Sequence, residues 1–247
     1  MRWTDPDSGG SRRMKRVLLE TLVAAHVNTQ PMVLIRCLTS ARQFVVDKND
    51  IYGDTDDVPA ELLQLGRDAL NRDGTVTVDI AADRYLVQTL SPPPRLIIVG
   101  AVHIAQQLIP MARIAGYTIQ LIDPRAAFAT PGRFPGVEVI SEWPQDVMAG
   151  LSIDTRVAVV TLSHDPKIDE PALRIALESD AFYIGALGSR KNHANRLKRL
   201  SEYGFDDIAL ARIAGPIGLP LGGRSPAEIA VSILAQIIQF RYCDETG

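Results

Sequence analysis

The chain is poor in cysteine: Cys37 and Cys243 are the only two in 247 residues. They stand far apart, in neither a C-x-x-C nor a zinc-ligand spacing. That argues against a disulfide framework or a structural zinc and points to a reducing, cytoplasmic setting. Cys37 lies in an apolar, strand-like run, where a thiol is more often inert core than nucleophile. Charge of one sign is lacking too. Lys+Arg 26 against Asp+Glu 29 leaves a net charge of −3, so bulk nucleic-acid binding is not expected. No apolar run is long enough to span a bilayer. The basic residues Arg12, Arg13, Lys15 and Arg16 before Val17-Leu18-Leu19 resemble the start of a signal peptide. Glu20 interrupts that stretch and no A-x-A site follows, so no leader is expected. The G-x-S-x-G elbow, the Walker lysine pattern, the EF-hand spacing and any internal repeat are all missing.

What is present is a rhythm of strands and helices broken by one linker. Met1–Arg16, rich in Asp, Ser, Gly and Arg, reads as a disordered tail. Residues 17–90 read as a small α+β domain. Helices are expected at Val17–Val27 and Pro59–Leu70, and strands at Met32–Leu38, Phe44–Val46, Thr75–Ile80 and Arg84–Leu90. The alternation in Thr75–Ile80 predicts a half-buried strand. Asp54, Asp56 and Asp57 precede Pro59; they suit either a Mg²⁺ ion or the N-terminus of the next helix. Ser91-Pro92-Pro93-Pro94 favours stiff, extended backbone and marks the linker at 91–94. Residues 95–247 then alternate strand and helix, which predicts a doubly wound parallel, Rossmann-like sheet of the α/β class. Expected strands are Leu96–Val99, Tyr117–Ile122, Val137–Ile140, Val157–Leu162 and Phe182–Ala186. The helices expected between and after them are Ile104–Ala115, Ile168–Leu177 and Ser189–Leu200. Ser225-Pro-Ala-Glu228 is a capping box opening a last apolar helix, whose Ile229–Phe240 face suggests a homodimer.

In such a sheet ligands sit beyond the carboxyl ends of the strands. The first turn, Gly100-Ala-Val102-His103, keeps the first glycine of G-x-G-x-x-G/A, and Ala105 fills the third position, but Val102 replaces the middle glycine. A valine there is expected to crowd an NAD-style pyrophosphate. His103 sits at the mouth of a helix N-terminus, facing either an anion or solvent. Asp123, 23 residues past Gly100, matches the acidic residue that binds a ribose hydroxyl, and Arg125 suits a phosphate. Ser163-His164-Asp165 offers either a proton-transfer pair or metal ligand, or a helix cap at Asp165. Gly188-Ser189-Arg190-Lys191-Asn192-His193 crowds basic groups onto a helix N-terminus. That suits an anion held between them and the amides, the alternative being a solvated basic face continued by Arg196, Lys198 and Arg199. Gly215–Arg224 is a glycine-rich loop leading into the last helix.

Taken jointly, these segments resemble the XdhC/CoxI family, accessory proteins of xanthine-dehydrogenase-type molybdenum hydroxylases. The likeness is carried by Pro94-Arg-Leu-Ile-Ile-Val-Gly-Ala-Val-His-Ile-Ala105, Ile122-Asp-Pro-Arg125, Phe128-Ala-Thr-Pro131 and Arg133-Phe-Pro135. It continues in Leu162-Ser-His-Asp-Pro-Lys167, Tyr183-Ile-Gly-Ala-Leu-Gly-Ser-Arg190 with His193, Gly215-Pro-Ile-Gly-Leu219 and Ser225-Pro-Ala-Glu-Ile229. The resemblance implies a Rossmann domain that holds the molybdenum cofactor, as molybdopterin or its nucleotide form. It implies a maturation factor without turnover of its own, acting with a cysteine desulfurase on an apo molybdenum hydroxylase. His103, Asp123, Arg125, His164, Gly188, Ser189, Arg190 and His193 would line the site. The chain departs from the family pattern at Val102, where a glycine is usual, and at Ile51–Val58, which lacks a glycine-rich loop with a cysteine. An NAD(P)-dependent oxidoreductase and a non-binding dimeric paralogue are the rival expectations.

Overall fold

The computed structural model describes residues 14–40, 42–70 and 73–242. Most of the expected N-terminal tail (1–13) and Cys243 lie outside the described residues. Contacts divide the chain into two compact units that meet in sequence between Pro92 and Pro93.

The first unit runs α1 (Arg16–Val27), β1 (Met32–Cys37), β2 (Gln43–Val46), β3 (Ile51–Gly53), α2 (Ala60–Ala69), β4 (Thr75–Ile80) and β5 (Asp83–Leu90). Its antiparallel sheet has the order β3-β2-β1-β5-β4. Alternate residues of β1 point to opposite faces. Met32 and Leu34 pack with Leu18 and Ala25 of α1, whereas Val33 and Ile35 pack with Leu62 of α2. β4 corrects an expectation. Only Ile80 is buried and Val76 is 50% exposed, because β4 is an edge strand. Asp54 is tied to the Gln43 amide at 3.0 Å and to Lys15, and Cys37 is a free, buried thiol.

The second unit carries the crevice. Its elements are β6 (Arg95–Val99), α3 (His103–Ile114), β7 (Thr118–Ile122), β8 (Val139–Ile140), α4 (Pro144–Met148), β9 (Val157–Thr161), α5 (Pro166–Leu177), β10 (Tyr183–Ala186), α6 (Arg190–Glu202), α7 (Asp207–Ala211), β11 (Ile213–Ala214) and α8 (Pro226–Tyr242). All six strands are parallel, in the order β11-β10-β9-β6-β7-β8. Numbered along the chain this is the 3-2-1-4-5-6 order of the doubly wound fold, with its switch point between β6 and β9. Both faces are covered. Leu96, Ile98 and Val160 pack under α3 and α8 through Leu108, Ala112, Ile233 and Ile237. Ile97, Val99 and Val159 pack under α5, α6 and α7 through Ile168, Leu173, Leu200 and Leu210. Each such aliphatic side chain contributes ~1.5–3 kcal/mol when fully buried. The short elements β3, α4, α7 and β11 carry no periodic signal and are held by their neighbours. α8 starts with the expected capping box: Glu228 accepts from the Ser225 amide at 2.9 Å, and the Glu228 amide donates to Ser225 Oγ at 3.3 Å.

Candidate functional site

The site lies at the switch point, where β6 and β9 diverge. Gly100 leaves β6 with φ +114°, and a β-carbon on it would lie 2.7 Å from the Ser163 amide nitrogen. Only glycine lets the two strand exits approach so closely. Val102 is different. It takes an ordinary extended conformation (φ −97°, ψ 174°) as the residue before α3, and its side chain packs against the core. The backbone there needs no glycine, and the crowding expected from this valine is turned largely into packing. His103 is exposed at the first turn of α3.

Asp123 is fully buried, and its two oxygens accept four hydrogen bonds. The Arg125 amide and Nε reach Oδ1, both at 2.9 Å, while the Ala101 amide and Arg125 Nη2 reach Oδ2, both at 2.7 Å. Burial alone would push this carboxyl up, but the hydrogen bonds from Arg125 and the Ala101 amide hold it below its ordinary value. A carboxylate offers about four acceptor positions, so none is left for a ribose hydroxyl. The task expected for Asp123 is therefore replaced by another: it fastens the turn after β6. Arg125, committed to Asp123, stacks over Phe128 at 4.6 Å. Arg133 supports the same turn, donating to the carbonyls of Ala101 at 3.0 Å and Phe128 at 2.8 Å.

Beyond β9, His164 is exposed and holds φ +63°, an uncommon conformation for a residue with a β-carbon. Burial, then the Arg196 charge, lowers its pKa. Asp165 caps α5 by accepting from the Lys167 amide at 3.0 Å, as the capping alternative expects. Beyond β10, Gly188 has φ +146°, and Ser189 caps α6 by accepting from the Asn192 amide at 3.2 Å. Arg190 and Lys191 are exposed beside that cap. His193 is half-buried against Gly215, where a β-carbon would collide with its ring, and its Nδ1 is buried with no partner. Burial and Arg196 lower its pKa also.

Two residues not expected in the site from the sequence, Asp169 and Arg196, add to it. Asp169, on the first turn of α5, is 1% exposed. Burial outweighs its hydrogen bonds from Ser163 and pushes its carboxyl up to about 6. Arg196 is 6% exposed, so it is not part of the solvated basic face weighed as the alternative along α6. It donates from Nη2 to the Leu187 carbonyl at 2.8 Å. Both wall a cavity of ≈ 200 Å³, together with His164, Glu170, Asn192 and Asn195. The spacing did carry a hint: Asn192 and His193 stand four and three residues before Arg196, on one side of α6.

Of the expected site residues, Gly100 follows β6, and Asp123 and Arg125 follow β7 and fasten its turn, whereas His164 lines the cavity and Gly188 and His193 stand at the start of α6. Asp165 and Ser189 are spent on caps. His103 and Arg190 are exposed, and neither makes a hydrogen bond or ion pair among the described residues. Among the described residues no cluster of three His, Cys, Asp or Glu could hold a metal ion, and no helix is long and apolar enough to cross a membrane.

Comparison with known proteins agrees with this fold. The chain is 28% identical over 208 residues to a probable xanthine dehydrogenase subunit of Bacillus subtilis, covering 83% of this chain and 59% of that protein. It is 32% identical over 154 residues to the molybdenum cofactor insertion chaperone PaoD of Escherichia coli, covering 62% of this chain and 42% of that protein. It therefore spans roughly half the length of these two relatives. A crystal structure of a xanthine dehydrogenase from Bacillus halodurans shares the fold, with a TM-score of 0.70 at 22% identity over 92% of this chain and 66% of that one. The model of the XdhC Rossmann domain matches residues 96–237. With that match covering more than half of its length, the chain belongs to the XdhC Rossmann-domain family.

Proposed function

We propose that this chain is an accessory protein that binds a molybdenum cofactor, as molybdopterin or its nucleotide form, and assists its insertion into an apo molybdenum hydroxylase of the xanthine dehydrogenase type. A cysteine desulfurase is the further partner that this role requires. The observation that carries the proposal is the polar cavity beyond the exits of β9 and β10 of a family Rossmann domain, walled by the buried Asp169 and Arg196. The residues present fit such a group. Orphaned donor and acceptor atoms suit a pterin ring, and the exposed Arg190 and Lys191 beside the amides that open α6 suit a phosphate tail. When bound, the cofactor would supply the redox chemistry of its client. This chain's own residues would orient the group and shield it from water. The name of the E. coli relative supports the same role.

The strand order and Gly100 also favour a nicotinamide dinucleotide. The saturated Asp123 counts against that ligand, because a ribose hydroxyl would have to displace Arg125 or the Ala101 amide. Titration of the purified chain with molybdenum cofactor and with NAD(P) separates the two. Saturable pterin binding, weakened by Arg190→Ala, is the expected outcome. A chain that ignores pterin while nicotinamide nucleotides raise its melting temperature would reverse the assignment.

A further inference from the structure

Two buried charges of opposite sign wall one cavity without satisfying each other. Asp169 Oδ1 accepts from the Ser163 hydroxyl at 2.6 Å and from its amide at 3.3 Å, and the His164 amide also acts on this carboxylate, while Oδ2 is buried with no hydrogen-bond partner among the described residues. Arg196 Nη2 donates to Leu187, while Nη1 is buried with no hydrogen-bond partner among the described residues. Orphaned buried polar groups are rare and need an explanation. The remaining charges on the walls cancel, since Arg199 Nε donates to Glu170 at 2.7 Å. Both orphaned atoms, one acceptor and one donor, belong to residues that wall the cavity, with Asn192 and Asn195 alongside.

The chemistry of the missing partner follows. A phosphate would meet Arg196 but oppose the Asp169 carboxylate. An apolar ligand would leave both groups unpaired. A neutral planar ring with an N–H beside a C=O meets both at once. We propose that Asp169 and Arg196 together read the amino-lactam edge of a 2-amino-4-oxo heterocycle. Asp169 Oδ2 accepts from the ring N–H and amino groups, and Arg196 Nη1 donates to the ring carbonyl. Pterins and guanine share this edge. The choice of a pterin rests on the cofactor role proposed above; the recognition chemistry rests on the cavity alone.

The test is equilibrium binding of the full chain to four probes: 2-amino-4-oxopteridine, its 2,4-dioxo analogue lumazine, guanosine and inorganic phosphate. The pterin is expected to bind at least about tenfold more tightly than lumazine, whose 2-oxo group sets an acceptor against Asp169. Phosphate is expected not to displace it. Asp169→Asn and Arg196→Met should each weaken pterin binding by about tenfold or more, with Asp169→Asn also eroding the preference over lumazine. Equal affinity for pterin and lumazine in the unaltered chain overturns the proposal whether or not the variants fold. So does displacement by phosphate, or failure to bind any heterocycle, which would leave water as the occupant. Tighter binding of guanosine keeps the edge recognition and overturns the pterin. Whole molybdenum cofactor held equally well by both variants would overturn this subsite and leave the cofactor role standing. A chain that discriminates pterin from lumazine yet holds no cofactor would do the reverse.

Discussion

Asp123 and Asp169 are two buried carboxylates with opposite environments, and the contrast has measurable consequences. Asp123 is saturated with donors, so removing it strands the Ala101 amide and part of Arg125. Asp123→Ala should destabilise the second unit by about 3 kcal/mol, read from urea unfolding. Asp169 is raised from its ordinary 3.8 to about 6, so the folded chain holds a proton there that the unfolded chain has released. Its ionised form is penalised above pH 6, and the penalty is relieved as the pH falls from about 6 towards 4. In that window the native chain should gain stability relative to Asp169→Asn on acidification. A constant stability difference between pH 4 and 6 would show that Asp169 is not perturbed. Neither residue's role was fully legible in the sequence. The distance of Asp123 from Gly100 marked it as a site residue, but its partners are set by the fold. Asp169 and Arg196 look like ordinary polar positions on amphipathic helices until tertiary packing buries them.

Elements were more legible than residues, because periodicity and caps are local signals. The run Arg95–Val99 into Gly100 and α3, the Ser225/Glu228 box and the caps at Asp165 and Ser189 all rest on chemistry contained within a few residues. β3, α7 and β11 escaped because two to five residues carry no period, and their stability comes from the neighbours they join. β4 was placed correctly but assigned the wrong burial, since an alternating pattern does not reveal that a strand lies at an edge. The junction of β6 and β9 supplies a sharp test. Gly100→Ala puts a β-carbon against the Ser163 backbone at positive φ and should cost about 2 kcal/mol or more. Val102→Gly removes packing only and should cost about 1 kcal/mol. Comparable losses from the two changes would contradict the distinction between the required glycine and the replaced one. Asp165→Ala and Ser189→Ala should each cost about 1 kcal/mol through loss of a cap.

At the scale of the molecule, a parallel sheet with both faces covered leaves its functional surface at one end, where six strand exits converge. The fold class followed from the strand–helix alternation, and the family followed from motifs spread over that end. The last helix buries Ala230, Ile233 and Ile237 and leaves Val231 and Ile238, seven residues apart on one strip, exposed. We expect this strip to pair with a second copy. Sedimentation velocity should then report a dimer that Val231→Glu converts to a monomer, and a concentration-independent monomer in the native chain would remove that expectation.

The central claim is that the crevice holds a molybdenum pterin rather than a nicotinamide nucleotide. Its most direct test is mass spectrometry of the small molecules released from the purified chain, paired with titration by molybdenum cofactor. The account expects a molybdopterin species, bound near one per chain and weakened by Arg190→Ala. A chain that binds no pterin at saturating cofactor, and is stabilised instead by NAD(P), would contradict it.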